Sequence, residues 1–233
     1  MSDQLRDDAL LALGRELQAS GYRFTTITQA SHRRVNNRPE NAWARGITDV
    51  LGWSRPFRDG TLAPATVQLM RDGGILVPHE DGWKSTLRAS TIGELLFFHS
   101  AYPTSEDDAV FFGPDTYRFV RALEACLAAP GNEVRRAVDI GCGSGPGALT
   151  VARRFPEAQV IGADINERAL RLERLDKGPA VRTDAAEFLQ HGHHIDGGRV
   201  AIGILALRQR PRLFALRAAG DEGNQFEQRI RRR

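Results

Sequence analysis

Alternating glycines and one later acid carry the most legible chemistry in this sequence. The short apolar run Ala137-Val138-Asp139-Ile140 leads directly into Gly141-Cys142-Gly143-Ser144-Gly145. A buried strand running into such glycines predicts a tight turn and then a helix, with main chain that a ligand can approach closely. A second apolar run, Val160-Ile161-Gly162-Ala163, ends in Asp164. A carboxylate at the tip of the next strand suits a ribose diol, because it accepts from both hydroxyls. The spacing predicts nucleotide-type cofactor binding on a βαβ unit.

Two details narrow the cofactor. Asp139 stands two residues before Gly141, where a dehydrogenase turn requires no acid. Its carboxylate can accept from turn amides or meet a cationic ligand group. The dinucleotide pattern G-x-G-x-x-G also fails in every frame: Pro146, Ala148 and Thr150 occupy the closing position when the frame starts at Gly141, Gly143 and Gly145. A nicotinamide dehydrogenase is therefore disfavoured.

The elements around the turn alternate. Strand 134–140, helix 146–155, strand 158–163, helix 166–176, a strand at 180–183 and a helix at 185–190 predict a parallel sheet with right-handed crossovers. Ahead of them, a helix over 116–128 has Phe119, Val120 and Leu123 on its buried face. Nearer the N-terminus, Leu5, Leu10, Leu13 and Leu17 predict a helix over 4–20. Pro39 and Pro64 open two more, and Gly73-Gly74 stops the last. Residues 22–37 read as irregular at their centre. Strands at 75–77 and 83–85 flank His79-Glu80-Asp81-Gly82, a hairpin signal. Three helices and a hairpin suggest a winged-helix-like unit. Its charge is unremarkable and no basic recognition helix stands out, so a structural or substrate-orienting role is preferred over nucleic-acid binding. The expected fold class is α/β: a Rossmann-like, doubly wound, mostly parallel sheet over 111–233, incomplete after about residue 198, preceded by the helical accessory domain 1–110.

Val138 to Gly145 resembles the first motif of class I S-adenosylmethionine-dependent methyltransferases, and Asp164 matches their ribose-binding acid. Phe111-Phe112-Gly113-Pro114-Asp115-Thr116-Tyr117-Arg118-Phe119 resembles the segment before that motif in the small-domain group, which includes release-factor glutamine and ribosomal-RNA guanine-N2 methyltransferases. The resemblance covers 111 to about 175. Trp53-Ser54-Arg55-Pro56-Phe57 and the Gly82-Trp83 hairpin resemble the accessory domain of bacterial members. The resemblance implies S-adenosyl-L-methionine as cofactor. Gly141, Cys142, Gly143 and Gly145 would wrap its methionine part, and Asp139 would sit near its ammonium. Asp164 would bind the ribose, with Ile165 beside it, and Asp184 would contact the adenine amino group. It also implies a methyl acceptor nitrogen on a protein glutamine or an RNA base.

The catalytic half is not legible. The group's Asn-Pro-Pro-Tyr-type motif closes the fourth strand; here 199–207 runs into Arg208-Gln209-Arg210-Pro211-Arg212, and no catalytic residue is assigned. After Val134 there is room for about four or five strands with their helices, against about seven in the group. A truncated or frameshifted C-terminus is therefore expected. Two rival readings stay open: a non-catalytic or degenerate cofactor-binding protein, and a winged-helix nucleic-acid-binding protein.

Composition narrows the remaining classes. The chain has 233 residues, 41% of them apolar, with a net charge of +3. Nine arginines against three acids follow residue 198, so the body before them is mildly acidic and not a basic nucleic-acid binder. Cys126 and Cys142 lack metal-ligand spacing and imply no disulfide. His191, His193 and His194 read as a solvated loop, and no metal site is expected. No run is long enough to span a membrane, and a reduced cytoplasm is the expected compartment.

Overall fold

The computed structural model describes residues 2–131 and 133–176, together with the backbone of 181–183, 202–207 and 214–218. Helix α1 (Asp3–Ala19) starts where the Ser2 side chain accepts from Leu5 N, and it buries Ala9, Leu10, Leu13 and Leu17. Helix α2 (Gln29–Asn36) was not expected from the sequence. Thr28 caps it by accepting from Ser31 N, and only His32 of its residues is buried. With one buried position it has no apolar stripe to announce it. A 3-10 turn (Pro39–Asn41), α3 (Ile47–Leu51) and α4 (Pro64–Asp72) follow. Two separate antiparallel hairpins come next: β1 (Leu76–His79) with β2 (Gly82–Ser85), and β3 (Leu87–Ile92) with β4 (Leu95–Ser100).

Helix α5 (Pro114–Leu127) leads into the main sheet. Its connections are β5 (Arg136–Ile140), α6 (Pro146–Arg154), β6 (Gln159–Ala163), α7 (Glu167–Asp176) and β7 (Val181–Thr183), then β8 (Ile202–Leu207) and β9 (Phe214–Ala218). The sheet order is β7-β6-β5-β8-β9. Strands β5, β6 and β7 run parallel, as their intervening helices require. The expectation of a mostly parallel sheet ends there. Strand β8 lies antiparallel to β5, with Asp139 opposite Ile204, and β9 lies antiparallel to β8. The connection from β8 to β9 is too short for a parallel crossover.

Two apolar clusters hold the elements together. One gathers α1, α3, α4 and the hairpins, and takes Ala169, Leu172 and Leu175 of α7 into the same core. Arg171 Nε reinforces that contact at 2.7 Å from Asp7 Oδ1 of α1. The second cluster packs α5 and α6 against β5 and β6, and reaches back to Phe97 of β4. The N-terminal elements and the sheet thus share buried surface. The predicted helix at 185–190, Asp184 and the histidines at 191, 193 and 194 lie outside the described residues.

Candidate functional site

The loop between β5 and α6 is fixed from both sides. Gly141, Gly143 and Gly145 have φ of 73°, 54° and 87°, a region costly for any residue with a Cβ. Gly141 N and Cys142 N both donate to Ala163 O, at 2.7 and 3.1 Å, which fastens the loop to the end of β6. Gly143 N donates to Asp164 Oδ2 at 2.9 Å, and Asn166 N donates to Asp164 Oδ1 at 3.0 Å. The Asp164 carboxylate is therefore held in place at the lip of the loop. Each of its oxygens keeps a second lone pair for another donor. Space above Gly143 is open: a Cβ built there meets nothing within 4 Å. Ile165, next to Asp164, is 84% exposed, a large apolar side chain in water at the same lip.

Asp139 faces the other way. It is 1% exposed, and its Oδ2 accepts from Ala148 N in the first turn of α6 at 2.8 Å. The same turn supplies positive helix-dipole potential. Burial pushes its pKa from an ordinary 3.8 up to about 7; the Ala148 amide opposes this, and the negative charges of Glu173 and Asp164 add to it. A Cβ on Gly147 would lie 2.6 Å from Asp139 Oδ2, so only glycine lets the helix sit this close. Asp139 Oδ1 and Ser144 Oγ are buried with no hydrogen-bond partner among the described residues.

The sequence reading missed Glu173. It reaches under the loop from α7, fully buried. A Cβ on Gly145 would lie 2.6 Å from Glu173 Cγ, and one on Gly162 would lie 2.8 Å from Glu173 Oε1. The available signal was a charged residue on the helical stripe of Ala169, Leu170 and Leu172, all buried. Cys142 is buried in the same floor, and burial followed by the charges of Asp139, Glu173 and Asp164 pushes its thiol upward. It stays protonated and is no nucleophile.

The structure thus brings Asp139, Gly141, Cys142, Gly143, Gly145, Asp164 and Ile165 together, in two layers. Asp164 and Ile165 flank open space at the lip, while Asp139 and Cys142 form the floor. A nucleoside cofactor fits the upper layer: acceptor lone pairs for a diol, an apolar side chain for a base, and glycine backbone with room above it. Among the described residues, no cluster of His, Cys, Asp and Glu could hold a metal ion, and no helix is long and apolar enough to cross a membrane.

Comparison with known proteins agrees with this geometry. Residues 118–189 match the family model of the methyltransferase small domain. Trans-aconitate 2-methyltransferase of Afipia carboxidovorans is 37% identical to this chain over 70 residues, covering 29% of this chain and 27% of that protein. The stretch matched by the methyltransferase small-domain model contains the glycine loop and Asp164. The chain spans about a quarter of the length of the curated relative it matches.

Proposed function

We propose that this protein binds S-adenosyl-L-methionine over Gly141–Gly145 and transfers its methyl group to a nitrogen of a macromolecule, a protein glutamine or an RNA base. The observation that carries the cofactor reading is Asp164, locked by Gly143 N and Asn166 N beside open backbone and the exposed Ile165. When bound, the cofactor supplies an electrophilic sulfonium methyl. The chain's residues supply placement, which carries much of the barrier reduction in such transfers. Asp164 holds the ribose hydroxyls, Ile165 covers the base, and the loop backbone lies along the methionine part. Asp139 and Glu173 act from below, keeping the loop and the start of α6 in register.

The nitrogen acceptor rests on the likeness of Phe111–Phe119 to the small-domain group. The relative's name specifies trans-aconitate, an acid, as that protein's acceptor. Residues 1–110 serve in this reading as an accessory unit that orients the acceptor.

Isothermal titration of the full chain with S-adenosylhomocysteine tests the cofactor assignment. Folded protein that shows no binding at millimolar ligand would overturn it. Binding without methyl transfer to either RNA or protein extracts would instead mark a cofactor-binding chain that has lost catalysis.

A further inference from the structure

Arg88 of β3 is 4% exposed, and its Nε donates to Ser100 O at 3.2 Å. Among the described residues no carboxylate reaches its guanidinium. Arg55 shows the usual arrangement at similar burial, 6%. Its Nη1 meets Asp49 Oδ1 at 2.7 Å and its Nε meets Asn36 Oδ1 at 3.1 Å. The groups that act on Arg88 electrostatically are the phenols of Tyr22, Tyr117 and Tyr102, and none is a carboxylate. Burial lowers the Arg88 pKa only to about 10, so the side chain remains a cation. An ion held out of water without a counter-charge is strongly disfavoured.

A second buried donor lies nearby. His32 is 1% exposed, with its ring 4.2 Å from that of Tyr102. Asn36 is oriented by donating to Trp53 O at 2.7 Å while accepting from Arg55, so it presents its Nδ2–H to His32 Nδ1. In the tautomer whose Nδ1 accepts from Asn36, the proton of the neutral ring sits on Nε2. Burial and then the charges of Arg88 and Arg55 lower the His32 pKa to about 4, against a hydrogen bond to the Trp53 backbone that raises it, and the ring is neutral at pH 7. His32 Nε2 has no hydrogen-bond partner among the described residues.

Arg88 and His32 line one open-mouthed cavity of about 230 Å³, together with Tyr102, Phe111 and the start of α5. Its acid, Asp115, is on the exposed side and pairs with Arg118 at 3.4 Å. We propose that this cavity is a binding subsite for an oxyanion, a carboxylate or phosphate group of a ligand, held by the Arg88 guanidinium and His32 Nε2–H. The site supplies what such a group requires: a planar buried cation and, in that tautomer, a neutral N–H donor beside it. It does not depend on the cofactor assignment.

The test is the thermal midpoint of the full chain at pH 7 in sodium phosphate, sodium acetate and sodium chloride at matched ionic strength. Phosphate or acetate is expected to raise Tm by about 2 °C or more over chloride. Arg88→Met is expected to abolish that rise while being at least as stable as the wild type in chloride, because the uncompensated cation is gone. A rise with phosphate alone assigns a phosphoryl group, and a rise with acetate alone a carboxylate. No rise with either anion, or an Arg88→Met variant that keeps the full rise, overturns the proposal. If Arg88→Met does not fold, the ¹⁵N resonance of Arg88 Nε in the wild type decides: a saturable shift with phosphate or acetate supports the subsite, and an unmoved resonance overturns it. S-adenosylhomocysteine binding on the same samples is expected to be unchanged in Arg88→Met, so failure of either site appears in its own titration.

Discussion

Around the β3–β4 hairpin the interior holds bases: Arg88, His32 and His99, each at most 4% exposed. Beneath the glycine loop it holds acids, Asp139 and Glu173, each at most 1% exposed. The acids have local compensation. Asp139 caps the first turn of α6, where backbone amides and helix dipole favour negative charge, and both side chains are packed against glycines. Asp139 Oδ1 nonetheless has no partner among the described residues, and the bases are no better paired. His99 Nε2 meets Ser90 Oγ at 2.8 Å, but its Nδ1 and His32 Nε2 are buried without partners among the described residues, and Arg88 faces no carboxylate. A carboxyl tied to the backbone under a loop stiffens the loop, whereas a buried cation beside a cavity, facing no carboxylate, suits an anionic ligand. With the proposed subsite, the two regions divide structural and recognition roles in opposite senses of charge.

The largest effect expected at the loop comes from its lip. Asp164→Ala removes the proposed ribose acceptor and releases Gly143 N, and S-adenosylhomocysteine affinity should fall about 100-fold; unchanged affinity by calorimetry would remove Asp164 from the site. Gly145→Ala comes next. It places a Cβ against Glu173 Cγ at a φ of 87° and should destabilise the fold by about 2 kcal/mol. Urea unfolding measures this, and a loss below half that figure would show that the loop and Glu173 yield easily.

Two pH predictions separate the regions by sign. The folded state holds the Asp139 proton up to about pH 7, while the unfolded state loses it near 3.8. Stability from this group therefore falls as pH rises across that window. Asp139→Asn keeps an acceptor for Ala148 N, should flatten that slope, and should exceed the wild type in stability at pH 8. An unchanged slope would mean that Asp139 ionises freely. His32 behaves oppositely. Its folded pKa of about 4 lies below the ordinary 6.5, so the unfolded state gains a proton first and stability falls as pH drops from about 6.5 to about 4. His32→Gln should remove a smaller part of that acid-side loss, because His99 is also shifted down by burial and contributes the same slope.

Legibility followed how local the signal was. Strands β5 and β6 and helices α5 to α7 were readable within a few residues, because apolar runs, glycines and helix-opening prolines act over short spans. Asp164 was readable for the same reason. Glu173 was not, since a single acid in an amphipathic helix reads as solvent-facing until the helix is docked. Helix α2 and the β3–β4 hairpin were also hidden. The buried members of that hairpin include Arg88, Ser90, Thr91, His99 and Ser100, which break the apolar patterns that betray a core.

The sequence by itself determined the glycine turn, its partner acid and the alternation that builds three parallel strands, because φ preferences and side-chain periodicity are properties of neighbouring residues. Only the tertiary structure decided that β8 runs against β5, that α7 docks on α1, and that Arg88 and His32 share one cavity. Strand direction and the meeting of distant side chains depend on which surfaces are buried together, and residues 32 and 88 carry no mark of each other until the chain between them has folded.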